Sequence, residues 1–170
     1  MRAVIAASSR NRVVYCAGFL LVVTAFSACT LQGSFRVGTP TPVYTVTLAI
    51  ENAEGEWQEL TVEIADSPQE RATGLMDVEY MDEDTGMLFV FEGETKSGFW
   101  MKDTRIPLSI AFIASDGVIL ETQDMEPLST ALHRPAQAYS YALEVNQGWF
   151  ERHGLGAGDR VEIPSDAKGE

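Results

Sequence analysis

The amino-acid sequence predicts a mainly β fold in a single domain, either a β-sandwich or a barrel-like pair of sheets, with two short helices. Three observations support this fold class. Short apolar stretches alternate with turn residues over residues 43–164, no long amphipathic helix separates them, and Asp116-Gly117 has the pattern of a tight hairpin turn. Runs of short strands without intervening long helices are typical of sandwiches and barrels rather than of parallel α/β folds.

The first 28 residues have the pattern of a bacterial export signal. Three arginines precede an apolar stretch at residues 13–26, which is short for a transmembrane helix. Ser27, Ala28 and Cys29 then resemble a lipobox, where cleavage before the cysteine accompanies its lipidation. We therefore expect a lipid-anchored protein on the periplasmic side of the bacterial cell envelope. An ordinary cleaved signal and an uncleaved anchor are the alternatives, and Thr30 favours sorting to the outer membrane of a Gram-negative cell.

Two segments flank the predicted domain. Residues 29–42 contain glycines and end in a Thr-Pro repeat, which predicts a flexible tether that stiffens towards the domain. Residues 165–170 are expected to form a disordered tail. Because Cys16 lies within the expected signal, the processed chain keeps Cys29 alone and cannot form an intramolecular disulfide.

The first half of the domain is predicted to form a hairpin, a helix and a buried strand. Residues 43–50 and 57–64 alternate between apolar and polar side chains on either side of a turn. Ser67-Pro-Gln-Glu70 has the capping-box pattern that begins a helix, with proline at its first position. Residues 87–91 are apolar at every position, which predicts a strand buried on both faces.

Residues 97–113 contain two apolar stretches on either side of a polar break that ends at Pro107. In the first, alternation places Phe99 and Met101 on one face and Trp100 on the other. Pro107 fits the first residue of a second strand, which would carry alternate apolar side chains on one face: Leu108, Ile110 and Phe112. Residues 118–122 would return beside it as the second arm of a hairpin.

The last part of the domain has a long loop, a strand and a second helix. Residues 125–137 contain two prolines and no clear period, which indicates a loop. The following strand, residues 139–145, has Glu144 as the lone charge on the face opposite to four apolar side chains: Tyr139, Tyr141, Leu143 and Val145. A short helix at residues 148–153, held to the sheet by its aromatic residues, and a closing strand at 160–163 complete the domain.

Charge and the absence of several motifs exclude whole classes of function. The chain has 12 Lys and Arg against 25 Asp and Glu, so its surface repels nucleic acid and lacks a basic patch. No phosphate-binding glycine loop, His-Glu-x-x-His or cysteine zinc pattern occurs, and we therefore expect no cofactor and no metal. The acidic segment 77–84 lacks the spacing of a calcium loop, so a solvated loop is favoured over cation binding.

One group of residues is a candidate ligand site. Cations beside an aromatic face can hold an anion or a sugar. We therefore predict ligand contacts from residues in and after the aromatic stretch, from the later strand and from the first helix: Trp100, Lys102, Thr104, Arg105, Glu144 and Arg71. Arg71 could pair with Glu144 and fix the wall of the site. The alternative is structural, with Trp100 in the core and Lys102 extending past it to solvent.

The same stretch carries a family resemblance. Phe99-Trp-Met-Lys-Asp-Thr104, followed by Ile106-Pro-Leu108, resembles the core motif of DUF192, a family of unknown function. Further motifs match in order: Glu70 to Met76, Gly86 to Phe91, Asp116-Gly117, Ala142 to Trp149 and Gly158-Asp159. The chain departs from the family at Asp103, where Asn is usual, and at Ser109, where Asp is usual. The resemblance implies a compact, mostly β fold and no assigned activity.

These observations favour a membrane-tethered binding or accessory module of the cell envelope, without catalytic activity of its own. Its partners would be the membrane, through lipidated Cys29, and either a small ligand or an envelope protein. The alternative is a hydrolase that acts on envelope carbohydrate through a pair of carboxylates, which the many acidic residues would permit.

Overall fold

A computed structural model describes residues 44–167 and shows a mostly β domain with two short helices. The predicted fold class is confirmed, with all seven strands in one curled sheet. The strands are β1 (Thr45–Glu51), β2 (Trp57–Ala65), β3 (Thr85–Thr95), β4 (Leu108–Ile113), β5 (Ile119–Met125), β6 (Tyr139–Asn146) and β7 (Arg160–Glu162). The helices are α1 (Pro68–Thr73) and α2 (Trp149–Arg152).

The predicted signal and tether, including Cys29, lie outside the described residues. Over residues 44–167 the structure contains no helix with the length and apolar character needed to cross a membrane.

The sheet has the strand order β5-β4-β6-β3-β2-β1-β7. Neighbouring strands run antiparallel except β2 and β3, which are parallel and connected through α1. The sheet curls far enough for its two edges to meet. The contact is a bridge between Val118, just before β5, and Arg160 of β7. Beside this bridge the Val161 N–H donates to the Gly117 carbonyl at 2.8 Å.

The two faces of the sheet pack against different parts of the chain. The inner core lies inside the curl and contains side chains from strands at both edges, such as Ile119 and Val161, together with Trp149 and Phe150 of α2. The predicted attachment of this helix to the sheet is thus confirmed. The outer cluster lies on the opposite face and is covered by side chains from the segments 75–81 and 99–106. It is this outer face that positions the candidate site.

Helix α1 begins as the sequence predicts and ends where its backbone turns. Ser67 accepts a hydrogen bond from the Glu70 N–H at 3.2 Å, and the Glu70 carboxylate accepts one from the Ser67 N–H at 3.0 Å. The helix ends after Thr73, where Gly74 caps it with a φ of 47°. A Cβ at Gly74 would lie 3.2 Å from the Phe89 ring, so glycine also permits this close approach.

The stretch from Phe99 to Met101 covers the outer face without joining the sheet. The predicted alternation is present, since Met101 is buried, Phe99 packs on the outer cluster and Trp100 is 48 % exposed. Instead of a regular strand, however, the stretch forms an isolated bridge between Phe99 and His133. The Met101 N–H also donates to the Ser129 carbonyl at 2.9 Å, so the long loop that follows β5 holds this stretch in place.

Two further details differ from the sequence prediction. Tyr139 belongs to the outer cluster, although alternation places it on the face of Tyr141, and the pairing of β3 with β6 shifts register in this region, between Val90 and Thr95. At the other end of the domain, Ser165–Ala167 form a 3-10 turn, and Ala167 is buried against the inner core. The folded part therefore extends into the segment predicted to be a disordered tail.

Candidate functional site

A cavity of about 280 Å³ lies on the outer face of the sheet, beside the end of α1. Its apolar lining comes from strand β3 and from the two segments that cover this face: Leu75, Met76, Phe89, Phe91, Phe99 and Trp100. Its polar lining includes Arg71, Thr73, Ser97, Thr104 and Glu144. The cavity therefore combines aromatic walls with a few polar groups, which is typical of a small-molecule site.

Aromatic rings that pack edge to face form one wall of the cavity. The Phe99 ring lies 4.9 Å from the Phe89 ring and 6.5 Å from the Phe91 ring, measured between centroids, at interplanar angles of 83° and 85°. Phe91 also packs on Tyr139, whose hydroxyl donates to the Ser97 carbonyl at 2.7 Å. Each ring is thus held by others, and the wall is formed before any ligand arrives.

Glu144 is the acidic group of the cavity. It projects from β6 on the outer face, between Met87 of β3 and Ile110 of β4, and is only 5 % exposed. Among the described residues its carboxyl group has neither a hydrogen-bond partner nor an ion-pair partner. Burial raises the pKa of Glu144 to about 8, because the apolar surroundings disfavour the charged form. At neutral pH this carboxyl group is therefore mostly protonated.

Thr104 supplies a second polar group, and it too is 5 % exposed. Backbone hydrogen bonds hold it, since its N–H donates to the Met101 carbonyl at 3.1 Å and its carbonyl accepts from the Leu128 N–H at 2.9 Å. Its hydroxyl has no hydrogen bond within the described part of the chain. In residues 44–167, every completely enclosed side-chain oxygen or nitrogen has a hydrogen-bond partner. The Thr104 hydroxyl and the Glu144 carboxyl group have none, so both are reached from the cavity that they line.

Arg71 is fixed at the cavity by backbone groups. Its Nη1 donates to the Asp66 carbonyl and, at 2.8 Å, to the Val90 carbonyl. The guanidinium also lies over the Phe91 ring, 5.2 Å from its centroid. The predicted ion pair between Arg71 and Glu144 is not formed, because these carbonyls and this ring hold the guanidinium in another position.

Lys102 and Arg105 do not line the cavity. The Lys102 Nζ lies 3.6 Å from an Asp103 carboxylate oxygen and 5.8 Å from the centroid of the Trp100 ring. Arg105 forms an ion pair of 3.0 Å with Asp77, and both pairs are exposed to solvent. The cavity thus brings together Trp100, Thr104, Glu144 and Arg71 of the six predicted site residues.

Other lining residues were not among the predicted site residues. Phe89 and Phe91 belong to the apolar run of β3, which the sequence indicated only as a strand buried on both faces. Leu75 and Met76 follow α1 and reach the cavity because the chain turns at Gly74. The one sequence signal that pointed to this wall was the run of large side chains at residues 87–91.

The acidic segment 77–84 is tied to the domain through several of its carboxylates. Asp77 pairs with Arg105, Glu83 lies 3.6 Å from Arg152, and Asp84 accepts a hydrogen bond from the Trp149 Nε1 at 3.1 Å. Throughout residues 44–167, no three His, Cys, Asp or Glu side chains are grouped so that they could hold a metal ion. The geometry thus gives no support to the calcium alternative.

Comparison with known proteins identifies the family. The sequence model of DUF192, described as "Uncharacterized ACR", matches residues 49–163. A crystal structure from Sinorhizobium meliloti 1021, described as a "putative transcription regulator", is similar with 37 % identity and a TM-score of 0.71, over 73 % of this chain and 97 % of that one. A protein of unknown function from Novosphingobium aromaticivorans DSM 12444 is similar with 28 % identity and a TM-score of 0.69, over 74 % of this chain and 90 % of that one. No curated protein matches. The chain is a member of the DUF192 family.

Proposed function

We propose that this protein is a binding module that takes a small, largely apolar molecule into the cavity beside Glu144. The observation that carries the proposal is the buried Glu144 carboxyl, which has no partner among the described residues and is reached from the cavity. A ligand in the cavity could supply this partner, and a hydrogen bond of this kind contributes about 0.5–1.5 kcal/mol.

The lining indicates how such a ligand would be recognised. Aromatic rings from Phe89, Phe91 and Phe99 would contact a flat apolar body, and Trp100 would cover it at the surface. The protonated Glu144 can donate a hydrogen bond, and the Thr104 hydroxyl can donate a second one. We expect these two groups to bind a carbonyl or hydroxyl oxygen. Ligand contacts from Lys102 and Arg105 stay a prediction, since Lys102 lies near the Asp103 carboxylate and Arg105 forms an ion pair with Asp77.

The lining does not favour the hydrolase alternative. Glycoside hydrolysis needs two carboxyl groups about 5–10 Å apart across the substrate. Glu144 is the only acidic side chain among the described residues that line this cavity. The description of the Sinorhizobium structure as a regulator raises the question of DNA binding. With 25 acidic against 12 basic residues, this chain has no charge surplus for phosphate contacts, and we do not propose it.

A neutral aromatic probe tests the binding proposal. We expect 2-naphthamide, titrated into the purified protein, to bind saturably with an affinity that isothermal titration calorimetry can measure. Thr104→Val removes the hydroxyl at nearly constant volume and should weaken binding by about 2- to 10-fold, the equivalent of one neutral hydrogen bond. Thr122→Val, at an exposed position of β5, is the matched control and should bind like the wild type. Equal losses in both variants would contradict the proposed hydrogen bond from Thr104, and a failure of this probe and of its charged naphthyl analogues to bind would contradict the binding proposal.

We further propose that lipidated Cys29 anchors this module to the envelope membrane, on the periplasmic side. The support is the lipobox-like sequence that ends at Cys29 and the flexible composition of residues 29–42. Two or more acyl chains hold a protein stably where one chain is marginal.

Replacing Cys29 with serine tests the anchor. Membrane fractionation of cells that express the full chain should show Cys29→Ser in the soluble envelope fraction, or unprocessed. The wild type should be processed and found in the membrane fraction. A Cys29→Ser protein that is correctly processed and still bound to membranes would overturn the lipoprotein proposal. Cys16→Ser, within the predicted signal, is the control for loss of a cysteine.

A further inference from the structure

Arg71 is the only cation in the lining of the cavity, and it has no carboxylate partner among the described residues. Residues 44–167 are strongly acidic, and three of their seven Lys and Arg side chains lie within 4 Å of a carboxylate: Lys102, Arg105 and Arg152. Arg71 is not among these three, so no ion pair within the described residues neutralises its charge where it lines the cavity.

The structure holds this guanidinium in one orientation. Nη1 donates hydrogen bonds to the Asp66 and Val90 carbonyls, and the group makes a cation–π contact with the Phe91 ring. Nε and Nη2 have no hydrogen bond within the described residues. The planar guanidinium matches carboxylate and phosphate oxygens, and less freedom is lost on binding when the group is already fixed.

Two further basic residues, Lys96 and Arg134, are close to lining residues of the cavity. Lys96 precedes the lining residue Ser97, and neither it nor Arg134 has an ion-pair partner in the described residues. Arg134 packs against the lining residue Gly98, where a Cβ would lie 2.8 Å from the Arg134 Cγ. Arg71 in the lining and Arg134 beside it thus have no ion-pair partner among the described residues, and Lys96 is next to a lining residue in sequence.

We propose that the ligand of this cavity is an amphipathic anion, with an apolar or aromatic body against the ring wall and one carboxylate, sulfonate or phosphate group bound by Arg71. This inference rests on the proposed binding function and names the chemical class of its ligand. Glu144 does not oppose it, because burial raises the pKa of Glu144 to about 8 and the group is mostly uncharged at neutral pH. A cationic ligand, which the acidic composition could attract, would meet Arg71 in the same cavity.

Three probes with the same ring system test the ligand class. At pH 7 and low salt, 2-naphthoate is an anion, 2-naphthamide is its neutral counterpart and 2-naphthylmethylamine is a cation. We expect 2-naphthoate to bind about 10- to 100-fold more tightly than the amide, as one charge-assisted hydrogen bond or bidentate pair would provide. The amine should bind least. Calorimetry with the purified protein measures all three.

The Arg71→Met variant locates the preference at one residue. It keeps much of the side-chain length and should reduce the preference for 2-naphthoate over the amide to about one. Arg160→Met, whose guanidinium donates to the Asp116 carbonyl outside the cavity lining, is the control and should keep the preference. If Arg71→Met does not fold, the wild type in 0.5 M NaCl replaces it. Salt should then weaken naphthoate binding several-fold and leave amide binding unchanged.

The outcomes separate this inference from the proposal on which it rests. Three results would overturn the inference that the ligand is an anion and leave the binding function in place. They are equal affinities for the acid and the amide, tightest binding of the amine, or an unchanged preference for the acid in Arg71→Met. A failure of all three probes to bind would overturn the binding function, and the inference with it.

Discussion

Replacing Glu144 with glutamine should remove a fall in stability that we expect the wild type to show between about pH 5 and pH 8. In the unfolded chain this carboxyl group loses its proton near its ordinary pKa of 4.5, whereas in the folded protein burial raises the pKa to about 8. Between these values the folded state holds one proton more than the unfolded state, so stability falls as pH rises and levels off above pH 8.

The size of this effect follows from the shift in pKa. The slope reaches about 1.4 kcal/mol for each pH unit and is smaller near each pKa, so the wild type should lose about 3–4 kcal/mol of unfolding free energy from Glu144 between pH 5 and pH 8. Glutamine is neutral throughout, so the stability of Glu144→Gln relative to the wild type should rise by this amount over the same interval. Urea denaturation at a series of pH values measures the difference directly.

Glu59→Gln is the control for the loss of a strand carboxylate, since Glu59 lies exposed on β2. A stability difference between Glu144→Gln and wild type that did not change with pH would show that Glu144 is not buried as described. The result also bears on function. A carboxyl group that lowers stability at neutral pH is costly to keep in a folded core, and such costs are common where a side chain serves binding.

Trp149→Ala should destabilise the domain by about 3–5 kcal/mol, the usual range for truncating a large buried aromatic side chain. Trp149 is 0 % exposed and packs within the inner core as part of α2. Its ring lies 5.4 Å from the Phe150 ring, and its Nε1 donates to Asp84. Truncation would leave a cavity in the core and would free the end of the acidic segment 77–84 as well.

Trp57→Ala is the matched control, because Trp57 lies on β2 with 49 % of its surface exposed. Its loss should change the unfolding free energy by much less than the loss of Trp149. Thermal and chemical denaturation, followed by far-ultraviolet circular dichroism, distinguish the two variants. If Trp149→Ala unfolded no more easily than Trp57→Ala, α2 would not be held to the sheet as described.

Much of the local structure followed from the sequence alone. The capping box at Ser67 and the alternation of Trp100 with Phe99 and Met101 depend only on residues close together in the chain. The same holds for Glu144, the lone charge opposite an apolar strand face. Turns, caps and strand alternation arise from backbone geometry over a few residues, so their pattern is readable before the fold is known. The family resemblance was also carried by such local motifs.

Only the tertiary structure decided what these residues contact. The chain path brings Arg71, Thr104 and Glu144 to one cavity although they are far apart in sequence, and no periodicity contains that information. The direction of a long cationic side chain depends on which partner is nearest. Arg71 therefore binds two carbonyls instead of Glu144, and Lys102 and Arg105 lie against carboxylates at the surface. The sequence determined the elements and the unusual glutamate on β6. Packing between distant segments decided that its carboxyl group lies buried at a cavity, without a partner among residues 44–167.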